Sequence, residues 1–510
     1  VCRTAALDLK RALPTLHIFT SHRIASNLHS GSIAGEMTTI KKETDVQTVQ
    51  QSRRNFLSTG ARMTAGSALL ASGMAGAATV NNASASVPCD DASQTKTLAD
   101  AHYVLRNVRL EEGFEREGEM IIATHTALYD LEINSGKIVA ISQVKARAAS
   151  ALPAYDAQGM LLLPATRDMH IHLDKTFYGS HWEAPRPRKG KTIMDMIARE
   201  QVIIPRLLPH SVEHAEAIIG LLQSKGTTVA RSHCNIDPVS GLKSLEHLQI
   251  ALQKHQQDFS CEIVAFPQHG LLHANVDGLM REAMQMGVQY VGGLDPTNVD
   301  GAMEKSLDAM FQIALDSHKG VDIHLHETTP AGIAAVKYMI STVEKNPQLK
   351  GKVTLSHGFA LSVMQGNELE EVINGLAEQQ FTVASTVPIG KLSMPLPQLS
   401  EKGVFVMTGT DSVIDHWSPF GTGSMLEKAN LYAQLYGNSD EFGLTRSLAI
   451  ATGNILPLSD AGQRQWPAVN DAAEMMLVDA SCSAEAVARV PSVQATFHQG
   501  RLVFGQLKKA

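Results

Sequence analysis

Eight times over a stretch of about 260 residues, a short β-rich run ends in a polar residue and a helix-like segment follows. The runs end at His170/His172, His233, Gln268, Asp295, His324, His357, Ser385/Thr386 and Asp411. Helical periodicity marks segments such as 212–225, 275–287, 301–318 and 362–379 between them. Eight alternating units predict an α/β chain folded as a (β/α)8 TIM barrel. A doubly wound open sheet is the alternative, but it would not ask all eight strand ends to converge. On a barrel, functional side chains gather where strands run into loops at the C-terminal face. Here nearly every such end carries a group able to bind a metal or to hydrogen-bond.

The flanks read differently. Tyr103 to Val108 and Lys137 to Ile141 are short apolar runs broken by Gly and Asn, and residues 474–505 carry similar material, including a run from Ala495 to Val503. The expected layout is a leader over 1–85, the first part of a small β-sandwich over 100–160, the barrel over 161–470, and the second part of the sandwich over 471–510. With 510 residues, 44% of them apolar and 19% charged, there is ample material for a large core. That balance excludes a disordered or disulfide-scaffold protein, and five cysteines leave at least one thiol unpaired within the chain. No run of 18 purely apolar residues occurs, so no membrane span is expected.

Ser52-Arg53-Arg54-Asn55-Phe56-Leu57 reads as a twin-arginine export signal. A weakly apolar run from Met63 to Val80 follows, and Ala83-Ser84-Ala85 offers the small-x-small pattern of a cleavage site. A solvated basic helix is the bland alternative. Met37 would open a leader of more usual length. The expected location is periplasmic, reached as a folded chain through the twin-arginine machinery. The whole chain carries a formal charge of −7; residues 1–85 hold nine Lys/Arg against four Asp/Glu, which leaves −12 on the remainder. Such acidity argues against nucleic acid as a partner and makes anionic substrates less attractive. Homo-oligomerisation stays open.

His170-Ile171-His172-Leu173-Asp174 is the sharpest local feature. Alternate residues of a strand face the same way, so both imidazoles project into one site and can clamp a divalent cation. His-x-His alone has many innocent explanations; its company at the other strand ends raises it. His324 offers a third imidazole, with His326 two residues on as the alternative ligand. Glu327 follows, placed to shuttle protons, or else to sit at a helix N-terminus for the dipole. His357 ends an apolar, β-branched run and is a further ligand, a donor that orients water, or a satisfied core histidine. Asp411 ends the eighth run; an acid there can bind the metal and take a proton from water, though a lone strand-end Asp is commonly a helix cap. The fourth run ends Gly292-Gly293-Leu294-Asp295 with no Lys or Glu to bridge two ions, so one metal is expected.

These residues resemble the amidohydrolase superfamily, and within it the cytosine deaminase branch. The resemblance rests on the His170–Asp174 motif, Ala265-Phe266-Pro267-Gln268-His269-Gly270, His324-Leu325-His326-Glu327, Ser356-His357, and Asp411 with Asp415-His416-Trp417-Ser418-Pro419-Phe420-Gly421. It runs from about Leu161 to Gly421. It implies that His170, His172, His324 and Asp411 hold one divalent ion, zinc or iron. It also implies that Glu327 transfers protons, His357 steadies the attacking water, and Gln268 hydrogen-bonds a ring amide. Two departures matter. The branch tends to carry an acid directly after the metal-binding Asp, where this chain has Ser412, and favours Gln-Glu-Gly where this chain has Gln268-His269-Gly270. Cytosine itself is therefore not the expected substrate, and the branch's likeness to enzymes that remove alkylamines from triazines widens the field.

The expectation is a metal-dependent hydrolase (a deaminase-type enzyme) that attacks a non-peptide C–N bond of a small nitrogen heterocycle, a cyclic amidine or amide. Alternatives are ring opening of a cyclic amide, dealkylation of a triazine, and a non-catalytic periplasmic binding protein. Gln268, Ser412, Trp417 and His233 are candidate substrate contacts, each with a packing or structural alternative. Lys175 is either a substrate contact or a surface charge, and the basic stretch Pro185 to Lys191 is either an active-site loop or a solvated connector.

Overall fold

The computed structural model describes residues 101–144, 151–188 and 190–510. The leader expected over 1–85 and its twin-arginine motif lie outside the described residues. Two sheets form. The first takes strands from both ends of the described chain: β1 (His102–Glu117), β2 (Met120–Asn134), β3 (Lys137–Gln143), β4 (Ala154–Asp156) and β5 (Leu161–Pro164), then β14 (Met475–Val478), β15 (Val493–His498), β16 (Arg501–Gly505) and β17 (Lys508–Lys509). Their main order is β16-β15-β14-β5-β1-β2-β3, with β4 joining β1 to β17. Leu162 and Leu163 of β5 pair antiparallel with Leu477 and Met476, which knits the two flanks into one sheet. The sheet has its own core, built on Tyr103, Leu105, Leu131, Ile133, Trp466, Met475 and Phe497. One detail departs from expectation. Ala495 to Val503 is not one strand but a hairpin, turned at Gln499 and Gly500, both at positive φ.

The second sheet is the barrel: β6 (Thr166–Ile171), β7 (Thr227–Asn235), β8 (Ser260–Phe266), β9 (Tyr290–Leu294), β10 (Gly320–His324), β11 (Val353–Ser356), β12 (Thr382–Ser385) and β13 (Phe405–Thr408), all parallel and in sequence order. These are the eight runs read in the sequence. Each is short and is buried over most or all of its length, as a strand covered on both faces must be. Helices such as Ser211–Ser224, Asp277–Gln285, Met303–Ser317 and Gly366–Glu378 separate them. In the last, the expected helix over 362–379 opens late, because a short 3-10 turn takes Phe359–Ser362 first.

The ends of the sheet meet at a seam. Beyond β13, Asp411 N donates to His170 O at 2.7 Å and His172 N to Asp411 O at 3.3 Å. Thr410 reaches Asp168 through its N at 3.0 Å and its Oγ1 at 2.5 Å, across 242 residues of chain. Gly409 is required here: a Cβ would lie 2.4 Å from His170 O. The backbone closure that completes the barrel therefore sets Asp411 beside the first two histidines. Gly292 in β9 has a similar reason, since a Cβ would lie 2.6 Å from Ala265 O.

Candidate active site

Four side chains from three strand ends converge at the seam. Ligand atoms of His170, His172, His324 and Asp411 all lie within 4.8 Å of one another. Asp411 Oδ1 is 3.4 Å from His170 Nε2 and 3.3 Å from His172 Nε2. The far side of each ring is tied down. His170 Nδ1 meets Ser356 Oγ at 2.9 Å, and that hydroxyl donates to Asp322 Oδ1 at 2.5 Å, so Nδ1 must be the protonated nitrogen. His172 Nδ1 donates to His233 O at 3.0 Å. Both rings thus turn the lone pair of Nε2 toward Asp411.

His172, His324 and His357 are also held neutral. Burial, aided by Lys175, lowers His172 to about 4. Burial and the neighbouring histidines hold His324 and His357 well below the ordinary value. Burial opposes ionisation of Asp411; with a ring N–H of His170 or His172 turned to it in place of a lone pair, its carboxyl lies well below the usual range. Neutral imidazoles and an ionised carboxylate are the states a cation needs in its ligands. His170 Nε2 and both ring nitrogens of His324 are buried without a hydrogen-bond partner in the protein. Buried polar atoms are otherwise almost always paired, so the donor set fits a metal ion. In a second geometric cluster, His170 with His233 and Asp322, the carboxylate is already engaged, while both ring nitrogens of His233 are unpaired. Asp322 there accepts from Arg231 and Ser356.

His324 and His326 differ in their partners. His326 bonds Asp295 Oδ2 through Nδ1 at 3.0 Å and Oδ1 through its backbone N at 2.6 Å. His357 stands 4.7 Å from His170 and 4.2 Å from His326, ring to ring, with neither ring nitrogen bonded in the protein. Asp295, His357 and Asp411 all take positive φ. Three strand ends thus turn through a conformation that L-residues rarely adopt, a kind of strain that collects at functional sites.

A cavity of about 640 Å³ opens over the cluster. His172, His324, His326, His357 and Asp411 line it, together with Lys175, Gln268, Ser412 and Trp417. Trp417 is presented by a turn in which Asp415 Oδ1 accepts from Trp417 N at 2.8 Å and Ser418 N at 2.9 Å. Arg188 and Lys191 also line the cavity, and Arg188 Nη1 donates to Trp417 O. The basic stretch therefore reaches the site, while its Pro185 and Arg186 line a separate outer groove and Lys189 lies outside the described residues.

Two candidates sit elsewhere than expected. His233, read as a substrate contact, is 0% exposed and does not line the cavity. Its ring packs 4.2 Å from His170, and its carbonyl orients His172. Its position within β7, two residues before the strand ends at Asn235, keeps it below the cavity. Glu327 is also absent from the lining. Its Oε1 accepts from Thr297 N at 2.8 Å and Asn298 N at 2.7 Å, while its buried Oε2 has no partner. Burial raises its pKa against those two amides.

Glu200 was missed by sequence reasoning. It sits in the helix Ile193–Leu207, opened by a capping box of Thr192 and Asp195, and is only 1% exposed. Its signal was present in the sequence: Met196, Glu200 and Ile204 share one helical face, so an acid stands in an apolar stripe. Asp322 was also missed, two residues before His324 on the same face of β10.

Comparison with known proteins follows the same lines. A family described as "Amidohydrolase family" matches residues 214–504, a span that begins after the His170–His172 motif. An uncharacterized protein, YahJ, of Escherichia coli strain K12 is 58% identical over 461 residues, covering 89% of this chain and 98% of that protein. The crystal structure of N-isopropylammelide isopropylaminohydrolase from Burkholderia multivorans is 26% identical, with a TM-score of 0.68 over 79% of this chain and 98% of its own. That of 5-methylcytosine deaminase from Klebsiella pneumoniae, at 23% identity and a TM-score of 0.63 over 79% and 97%, shares the fold.

Proposed function

The chain belongs to the amidohydrolase family, and on that premise we propose that it is a metal-dependent hydrolase of a small nitrogen heterocycle. It cleaves an exocyclic C–N bond of a cyclic amidine or amide. Water adds to the ring carbon that bears the amine, and ammonia or an alkylamine leaves with a proton drawn from that water. The observation that carries this reading is the unpaired nitrogen set of His170 and His324 beside Asp411, next to a cavity walled by polar groups.

One divalent ion, zinc or iron, held by His170, His172, His324 and Asp411, would supply the acidity that makes water nucleophilic near neutral pH. His357, with both nitrogens free of protein partners, orients the water. Asp411 takes up a proton from it. Glu327 Oε2, the unbonded oxygen of a carboxyl whose pKa burial has raised, carries a proton toward the leaving nitrogen. Gln268, Ser412 and Trp417 meet the ring. The aminohydrolase name of the Burkholderia relative favours amine release over ring opening, which would leave a new carboxylate instead.

The test is an amine-release screen of pyrimidines, triazines and pterins with metal-loaded protein. Amine should appear from at least one ring, with metal near one ion per chain. A new carboxylate without amine, or two ions per chain, overturns the corresponding part. Glu327→Gln should lower kcat by ~10²–10⁴ with metal retained. If His326→Gln shows that loss and Glu327→Gln does not, the proton belongs to the histidine that lines the cavity.

Export to the periplasm by the twin-arginine route is also proposed, supported by the Arg53-Arg54 motif and the Ala83-Ser84-Ala85 pattern. Replacing both arginines by lysine should leave folded precursor in the cytoplasm; unimpaired export would refute it.

A further inference from the structure

Lys175 is 5% exposed, yet it lines the cavity. Its ammonium donates to Gln268 Oε1 at 2.5 Å and lies 3.1 Å from Glu200 Oε1. A lysine has donors and no acceptor, so the amide oxygen is the only atom of Gln268 that it can engage. The amide orientation follows: its oxygen is occupied by Lys175, and its NH₂ is left for a ligand. Lys175 and Gln268 together therefore turn only N–H groups to the ring.

Glu200 holds this arrangement. Oε1 accepts from Trp417 Nε1 at 3.0 Å as well as from Lys175, and Oε2 lies 3.2 Å from His269 Nε2. One buried carboxylate thus ties the loops that follow β6, β8 and β13. Beyond this wall, Arg188 and Lys191 line the cavity, and Asp411 is the one carboxylate in its lining. The net acidity of the chain is not reproduced in the cavity.

We infer that Glu200, Lys175 and Gln268 form a reading edge of donors only, with Glu200 as its positioning residue, and that the substrate is an oxo-substituted azine presenting adjacent acceptors there, an oxo group beside an unprotonated or anionic ring nitrogen. This rests on the heterocycle-hydrolase reading above and names its substrate class. A ring amide N–H brought to the same edge would meet donors alone and lose its hydrogen bond with water, which selects strongly against it.

Calorimetric titration of metal-loaded full-length protein with two rings of one size tests this without turnover. Cyanuric acid carries three oxo groups and acidic ring nitrogens; melamine carries three amino groups. Cyanuric acid should bind at least about tenfold tighter, ~1.4 kcal/mol. Glu200→Gln should shrink that ratio to threefold or less, Glu200→Asp should restore part of it, and Lys175→Met should abolish it. A merely structural Glu200 would weaken both rings alike and leave the ratio unchanged. Equal affinity for the two rings, or no binding of either, overturns the donor edge. A ratio that survives Glu200→Gln overturns the positioning role, and Lys175→Met decides the edge if Glu200→Gln does not fold. Failure of the hydrolase reading shows separately, as no amine released from any ring.

Discussion

Two polar layers lie inside the barrel, built by the same strands two residues apart. β7 carries Arg231 and His233, β10 carries Asp322 and His324, and β11 carries Thr354 and Ser356. The lower layer is closed. Arg231 donates to Glu262 at 2.8 Å, Asp322 at 3.0 Å, Thr354 at 2.9 Å and the Tyr290 hydroxyl at 2.9 Å. The upper layer is left open, with His170 Nε2 and both nitrogens of His324 and His357 unpaired in the protein. Burial is equally deep in both. Low exposure therefore does not separate the two layers; satisfaction of the polar atoms does, and His233, off the cavity but with both ring nitrogens unpaired, falls with the open one. Asp322 belongs to both layers, giving Oδ2 to Arg231 and Oδ1 to Ser356.

The sharpest way to break the contrast is to remove a member of the open layer. His172→Ala should lose metal and amine release together, down to the uncatalysed background, while the thermal midpoint of metal-free protein changes little. Elemental analysis beside an ammonia assay reads both. Retained metal with retained turnover would place the ion elsewhere.

The closed layer should respond in the opposite way. Arg231→Met leaves the Asp322 carboxylate buried without its charge partner, and breaking such a pair costs about 3–5 kcal/mol. Urea unfolding measures the loss. A smaller change would mean that Asp322 stays protonated inside the barrel, where burial already raises its pKa.

Much of this division was legible in the sequence. Period-two spacing put His170 and His172 on one face, and apolar runs with polar ends gave the barrel. Glu200, an acid in an otherwise apolar stripe, and Asp322, an acid on the face of His324, were legible in principle, but one residue does not reveal its partner in another segment. The positive φ of His357 and Asp411 was not legible, because neither residue type demands it. His233 shows the limit of strand-end reading: two residues along a strand moves a side chain by about 7 Å, enough to take it off the cavity wall.

Ser356 joins the layers, so Ser356→Ala sharpens the comparison by a smaller amount. The His170 ring loses its anchor, and metal affinity should fall by about 10–100-fold, as second partners of a ligand typically provide. Chelator competition measures it. Unchanged affinity would show that the fold alone orients His170.

Per pH unit, the smallest expected effect is that of the proton on His172. Burial holds His172 at about 4 in the metal-free protein, against about 6.5 for an unfolded histidine. The unfolded chain takes up a proton that the folded chain refuses. Stability of the metal-free protein should therefore fall as pH drops from about 6.5 to about 4, by up to ~1.4 kcal/mol per pH unit for this proton. His172→Gln should remove one proton from that slope, read from urea midpoints across pH. The same slope in both proteins would show that His172 is accessible to protons when folded.

The seam between Asp411 and the His170 strand ties ligand assembly to the direction of synthesis. At the usual ~5–20 residues per second, the 242 residues that separate Asp168 from Thr410 take roughly 10–50 s to emerge from a ribosome. Throughout that interval the nascent chain offers imidazoles but no seam and no carboxylate to complete the set. Any cation captured then meets a partial, flexible chelate rather than the finished cage. Selection of the metal accordingly falls to the moment of barrel closure, and the ion supply of the compartment where closure happens decides what the cage contains.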